Sequence, residues 1–178
     1  MFQKNNSPMS KEEQSIIVDE SDEIIGHKNR SEIVSSDIYR ATGLWIENSA
    51  GEVLLAQRAL SKKNEPGKWG PAVSGTVEKG ETYESNIAKE AQEEIGLTGC
   101  EFQKAEKMRI SEKRNYFVQW FYARVDRKTE DFLLEEGAFE QIKWFKSAEL
   151  KSALEAAPEN FVPSLRTKMK LLQDFLDK

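Results

Sequence analysis

Residues 75–97 read GTVEKGETYESNIAKEAQEEIGL, a glycine-bearing loop that passes through Glu81 and runs into a stretch free of Gly and Pro from Thr82 to Ile95. That stretch predicts a helix. At about 100° per residue, Glu90, Glu93 and Glu94 are i, i+3 and i+4 neighbours on one helical face. Like charges packed this way repel by a few tenths of a kcal/mol per pair in water, roughly the strength of an opposed pair with its sign reversed. Such a face calls for solvent or for a cation. A solvated acidic surface is the ordinary explanation of a Glu cluster, so the wider spacing has to decide.

Five residues separate Gly75 from Glu81, and seven more lead to Lys89 and Glu90, followed by Ala91, Glu93, Glu94, Gly96 and Leu97. This resembles the Nudix hydrolase signature, G-x5-E-x7-R-E-U-x-E-E-x-G-U with U aliphatic. The departures are Lys89, where the family has Arg, and the small Ala91 at an aliphatic position. Lys is a point charge rather than a planar fork, so a grip on Glu81 is expected to be looser. The resemblance implies an α/β (α+β) fold, an α/β/α sandwich on a mixed β-sheet, with the Nudix box at 75–97.

With 178 residues, 38% hydrophobic and 32% charged, the chain has room for one domain with a core. The expected organisation is a flexible leader over residues 1–14 and a single domain over 15–178. A net charge of −5 without a broad basic region argues against duplex nucleic acid. No apolar run approaches a membrane span and no signal-peptide core opens the chain, so a cytoplasmic protein without membrane contact is expected, as monomer or homodimer. Cys100 is the single cysteine and His27 the single histidine. Neither a disulfide nor a cysteine-based metal site is available, and nothing near His27 resembles a nucleophile motif.

In chain order, Ser15–Arg30 reads as a β-hairpin and 39–47 as a strand. Asn48–Gly51 is a turn expected to fold the chain into an antiparallel hairpin with a strand at 52–58. The loop RALSKKNEPGKW at 58–69 is basic, with Arg58, Lys62, Lys63 and Lys68, and Lys79 follows beyond Gly75. Cation-rich loops are usually just soluble, but this one leads straight to the acidic helix, where phosphate oxygens would need positive partners. Two strands follow at 100–110 and 116–125, joined by the charged turn SEKRN. The second, rich in aromatic and β-branched residues, reads as a central strand, and Trp45, Trp120, Phe121 and Trp144 as core. A last strand at 141–145, a helix opening on an imperfect capping box at Ser147, and a C-terminal helix from Pro163 complete the chain.

Residues 16–150 also resemble the isopentenyl-diphosphate isomerase branch of the superfamily, through VDESDEIIG, LLAQRALSKKNEPGKW and the box. In those isomerases the residues matching Arg58 and Lys62 lie on the substrate diphosphate. The isomerase Cys position is Ser74, its adjacent His is Thr76, a further His is Tyr39, and the paired Glu positions fall near Asn115 and Phe117. A serine hydroxyl cannot supply the thiolate chemistry of a cysteine with its pKa near 8.5.

The expected activity is therefore Mg²⁺- or Mn²⁺-dependent hydrolysis of a diphosphate linkage in a small molecule, a nucleoside-diphosphate derivative foremost or a related organic diphosphate. The resemblance implies that Glu93 and Glu94 hold the metal with the main-chain carbonyl of Ser74 or Gly75. Glu90 would bind metal and orient or deprotonate water, Glu81 would anchor Lys89, and Arg58, Lys62 and Lys68 would bind substrate. Glu112, Glu135, Glu136 and Glu140 are candidates for a further acid. The alternatives are an isomerase-like enzyme and a non-catalytic nucleotide-binding domain.

Overall fold

The ten-residue strand β3, Ile38–Glu47, is the axis of the molecule. The computed structural model describes residues 13–176, with side chains through residue 169. On one side β3 pairs in parallel with β8 (Asn115–Arg124) along its whole length, from Ile38 opposite Asn115 to Glu47 opposite Arg124. On its other side it pairs antiparallel with β1 (Gln14–Val18) near its start and with β6 (Val73–Thr76) in its middle. β2 (Ile24–Asn29) flanks β1 as the expected hairpin, and β7 (Gln103–Ser111) flanks β8. Of the leader expected over 1–14, residues 1–12 lie outside the described residues, and Gln14 already pairs with Asn29.

The expected β3–β4 hairpin is realised only at its turn. β4 (Glu52–Arg58) meets β3 at the single pair Glu47 and Val53, then diverges to pair with β5 (Trp69–Pro71) and β9 (Phe139–Lys146). The reason is occupancy: β8 takes one edge of β3, and β1 and β6 take the other. Both edges of β3 are taken over most of its length, so β4 finds its own partners. The result is a mixed sheet of nine strands.

Alternation along β3 divides the core. Leu44 and Ile46 face the helix α1 (Tyr83–Ile95), together with Phe121 and Ala123 of β8. Ala41 and Trp45 face the opposite side with Val118, Trp120, Met108 and Ile110. Gly43 on that side lets the Trp120 ring lie against the strand, since a Cβ there would stand 3.0 Å from the ring. The helices α2 (Ser147–Ala156) and α3 (Pro163–Leu176) cover a second cluster of Val53, Leu55, Phe145, Leu150, Phe161 and Leu165. Layers of helix on both faces of a mixed sheet follow, as expected.

Trp120 and Phe121 are fully buried, while Trp45 and Trp144 are partly buried beside the core. The capping box expected at Ser147 is not formed. Lys146 stands at the cap without a side-chain bond, and the Ser147 hydroxyl donates instead to the Gly51 carbonyl at 3.2 Å. His27 is exposed on β2. Cys100 packs against the main core, and burial pushes its thiol pKa up, away from nucleophilic use.

Candidate active site

Helix α1 is set by its ends. Thr82 caps the N-terminus through its side chain, which accepts from the Ser85 N–H at 3.1 Å, while the Ser85 hydroxyl accepts from the Thr82 N–H at 2.9 Å. Gly96 closes the C-terminus with φ 63°, and the Leu97 N–H reaches the Ala91 carbonyl at 2.8 Å. Tyr83, Ile87, Ala91 and Ile95 form the buried face. Ala91 is fully buried, so the small residue occupies the aliphatic position of the signature inside the core. Lys89, Glu90 and Glu94 flank this face, and Glu93 is exposed.

The strand–loop–helix connection brings the carboxylates against β6. Glu90 lies on Gly75 so closely that a Cβ there would overlap its carboxyl group. Glu94 accepts a hydrogen bond from the Ser74 N–H at 2.8 Å. Burial pushes the Glu90 pKa up to about 7, with Lys89 and Arg30 opposing the rise and Glu93 and Glu81 adding to it. Burial likewise raises Glu94 to about 8, against the pull of the Ser74 N–H and Arg58, with Glu90 and Glu135 adding to the rise. Two desolvated carboxylates side by side, short of positive partners, are an environment that favours protons or metal cations.

Glu81 is held from three directions. Its oxygens lie 2.8 Å from Lys89 Nζ and accept from the Glu78 N–H and the Asn86 amide, each at 2.9 Å. These donors outweigh burial and hold its carboxyl below the usual carboxylate range. Lys89 also reaches Glu78 at 3.4 Å, so the lysine bridges two carboxylates where a fork would clasp one. Asn86, a polar residue buried within α1, was not singled out by the sequence reading. Its amide also reaches the Thr76 carbonyl at 3.2 Å and Glu90 at 3.3 Å, and its oxygen accepts from the Thr42 hydroxyl at 2.5 Å. Its place four residues before Glu90 and five after Glu81 was the available signal.

Arg58, at the end of β4, stands between two charged regions. Burial lowers its pKa from the ordinary value, opposed first by Glu94, and Arg114 and Glu65 also lie within its field. Its Nε donates to the Asn64 carbonyl at 3.1 Å, which ties it to the basic loop. A cavity of about 530 Å³ opens there, lined by Lys63, Asn64, Glu65, Pro66 and Lys68 of that loop with Lys113 and Arg114 of the β7–β8 turn. Lys68 pairs with Glu65 within it. Lys62 does not line this cavity, and Lys79 lies elsewhere, 3.5 Å from the Gln14 side chain. Lys113 and Arg114 were read only as a charged turn, because the fold alone brings that turn beside residues some fifty positions earlier.

Of the further acids, Glu112 pairs with Arg166 at 2.7 Å and Glu140 accepts from the Leu60 N–H at 2.8 Å. Glu136 is exposed. Glu135 is the one whose charge acts on Glu94, and its N–H bonds the Glu94 carbonyl at 3.0 Å. Among the described residues, no three His, Cys, Asp or Glu side chains already meet as a cage for an ion.

The NUDIX domain profile matches residues 38–165, a span that runs from β3 to the start of α3 and contains the whole box. The chain belongs to the Nudix family. Its class is that of the Nudix pyrophosphohydrolases. A prenyl-diphosphate phosphatase of Methanosarcina mazei is 33% identical over 154 residues, covering 84% of this chain and 88% of the relative. An isopentenyl-diphosphate Delta-isomerase of Corynebacterium diphtheriae is 29% identical over 162 residues, 83% of this chain and 86% of the relative. Among solved structures, a protein of Deinococcus radiodurans superposes with a TM-score of 0.76 at 22% identity, covering 88% of this chain and 97% of that one.

Within this Nudix fold the isomerase-like positions lie on adjacent strands. Ser74 of β6 is opposite Gly43 of β3, Thr76 is opposite Ala41, and Tyr39 of β3 is opposite Tyr116 of β8. Tyr39 stacks on Tyr116 with ring centroids 5.3 Å apart, and Arg114 lies over the Tyr39 ring. Asn115 donates to the Ser35 carbonyl at 2.6 Å, and the Phe117 ring lies beneath Arg109 and Lys107. None of the described residues is long and apolar enough, in any helix, to cross a membrane.

Proposed function

We propose that this protein hydrolyses the diphosphate linkage of a small organic diphosphate with the help of Mg²⁺ or Mn²⁺. The observation that carries the reading is the position of Arg58, whose charge acts on Glu94 on one side and meets the Arg114 side of the basic cavity on the other. A diphosphate spanning these regions would have one phosphoryl group near the carboxylates and the other among cations.

The donor set fits a divalent cation. Glu90 and Glu94 are desolvated, oxygen-bearing and adjacent, Gly75 leaves room for the Glu90 carboxyl, and the exposed Glu93 is free to turn toward them. Glu93 and Glu94 would hold the ion with the main-chain carbonyl of Ser74 or Gly75 and with Glu90, and Glu135, whose charge acts on Glu94, would be the further acid. When bound, the cation supplies charge neutralisation of phosphoryl oxygens and a lowered pKa for water. Glu90, which lies against Gly75 beside Glu94, would accept the proton of the attacking water. Glu81 and Lys89 brace the helix at its N-terminal half, and Asn86 fixes Glu90 from one turn away. Arg58 steadies the phosphates, with Lys62 and Lys68 supplying further charge from the loop.

The likeness to a prenyl-diphosphate phosphatase over most of both chains puts prenyl diphosphates first among substrates, ahead of nucleoside diphosphate derivatives. The test is a panel of prenyl diphosphates, nucleoside di- and triphosphates, dinucleoside polyphosphates and nucleotide sugars, assayed for phosphate release with and without Mg²⁺ or Mn²⁺. Activity is expected on at least one class and is expected to vanish in the Glu93→Gln/Glu94→Gln protein. Full activity in that double variant would overturn the assignment of the carboxylates.

A further inference from the structure

The cavity beside Arg58 differs in composition from the rest of the surface. It is lined by four cations, Lys63, Lys68, Lys113 and Arg114, against one acid, Glu65, which gives a net charge of +3. The whole chain carries −5. Lys68 is already paired with Glu65. Lys63, Lys113 and Arg114 have no carboxylate partner among the ion pairs of the described residues, and Arg114 lies over the Tyr39 ring. Cations gathered around one cavity repel unless an anion joins them.

The lining also says what kind of anion. No aromatic residue borders the cavity, so a nucleobase finds no ring to stack on there. Donors are plentiful and acceptors few, which suits phosphoryl oxygens and not a sugar, whose hydroxyls need both. A terminal phosphoryl group carries more negative charge than one esterified on both sides. A cavity of +3 without a ring to stack a base favours the free end.

We propose that Lys113 and Arg114, with Lys63, form the specificity pocket for the terminal phosphate of the substrate. This rests on the hydrolase reading for its biological use but not for its test. The substrate enters with its free phosphate in this cavity, the phosphate chain passes Arg58 toward Glu94, and the organic group lies beyond the carboxylates. Diphosphates with a free end are therefore substrates, and molecules esterified at both ends, such as dinucleoside polyphosphates and nucleotide sugars, are discriminated against. Lys113 and Arg114 are specificity residues that touch the phosphate furthest from the carboxylates.

Calorimetric titration at low salt and without divalent metal tests this apart from turnover. Inorganic pyrophosphate is the probe, and ADP and ADP-ribose form a pair that differs in whether the outer phosphate is free. The wild-type protein is expected to bind pyrophosphate and to prefer ADP to ADP-ribose by about tenfold, the scale of one or two charge-assisted contacts. Lys113→Ala/Arg114→Ala is expected to weaken pyrophosphate about tenfold or more and to erase the preference. Both residues are exposed on a turn, so thermal unfolding should match wild type and report an intact fold. Lys79→Ala removes an equal charge away from the cavity and should change neither titration. Wild type that fails to bind pyrophosphate, a double variant that binds it as wild type does, or an equal loss in Lys79→Ala overturns the proposal. A protein that binds in the expected pattern but hydrolyses nothing in the panel refutes the hydrolase reading and leaves the pocket standing.

Discussion

Gly75 shows how much a single hydrogen atom can decide. A Cβ at this position would occupy the space of the Glu90 carboxyl, which is the end of a flexible side chain and can move aside. Gly75→Ala is therefore expected to leave the melting temperature within a few degrees of wild type while displacing Glu90. Metal-dependent activity should fall by about tenfold or more, the loss usual when a catalytic base is misplaced. Steady-state kinetics beside a thermal melt would check it.

Glu90 and Glu94 also predict a pH dependence. Their pKa values in the folded protein, about 7 and about 8, are above those of free carboxyl groups. The folded state therefore binds more protons than the unfolded state between the ordinary carboxylate range and pH 8. The stability contributed by their protonated forms is fully present below that range and is lost as pH rises through 7 and 8. The groups facing them are Lys89, Arg30, Glu93 and Glu81 around Glu90, and Arg58, Ser74 N–H and Glu135 around Glu94. Urea unfolding without metal should show stability falling from the ordinary carboxylate range up to about pH 8 and levelling off above it, with Mg²⁺ restoring it at the alkaline end and Glu94→Gln flattening the profile.

At the scale of elements, two connections lock the site to its surroundings. The turn between β1 and β2 inserts Asp22, only 7% exposed, between Arg40 of β3 at 2.8 Å, Lys107 of β7 at 2.5 Å and the Tyr83 hydroxyl of α1 at 3.1 Å. Burial opposes its charge, but the bonds from Lys107 and Arg40 hold its carboxyl below the usual range. Asp22→Asn keeps a residue suited to its φ of 64° and removes the charge that both cations need. It is expected to cost about 3 kcal/mol in urea unfolding, since one partner of a buried ion pair is lost. Stability from Asp22 is present above the ordinary Asp range and fades as pH falls through its depressed pKa, the opposite sign to Glu90 and Glu94.

The second connection is the 128–138 loop, which seats its Leu133 and Glu135 N–H groups on the last carbonyls of α1, those of Ile95 at 3.2 Å and Glu94 at 3.0 Å. Gly96 permits the contact: its φ is 63°, and a Cβ would stand 2.8 Å from that of Leu133. Gly96→Ala is expected to cost roughly 1–2 kcal/mol from the left-handed backbone alone. It should also lift Glu135 from the site, so hydrogen exchange at residues 133 and 135 should accelerate along with the loss of stability.

For the whole molecule, the arrangement of strands gathers the positions at which this chain departs from the isomerases it resembles. Ser74, Thr76 and Tyr39 converge because β6 and β8 bind opposite edges of β3, so all the isomerase-like positions changed within one neighbourhood. Ser74→Cys alone is expected to give no allylic product from isopentenyl diphosphate, because Thr76 and Tyr39 offer no imidazole and Phe117 no carboxylate. Product analysis would show it, and isomerisation by the single variant would refute the reading.

The local sequence was enough for the α1 helix, its carboxylate face, the β1–β2 hairpin, the central β8 and the proline start of α3. Each rests on periodicity, turn chemistry or a motif within about twenty residues. It was not enough for the divergence of β4 from β3, for the Ser147 hydroxyl that bonds Gly51 instead of capping its helix, for Asn86 as the link among Glu81, Glu90 and Thr42, or for Lys113 and Arg114 beside the 63–68 loop. All four depend on which edges and surfaces other segments occupy, a long-range competition for hydrogen bonds and space that no window of sequence contains. The box from Gly75 to Leu97 is thus determined by its own residues, and the charged cavity opposite it by tertiary packing alone.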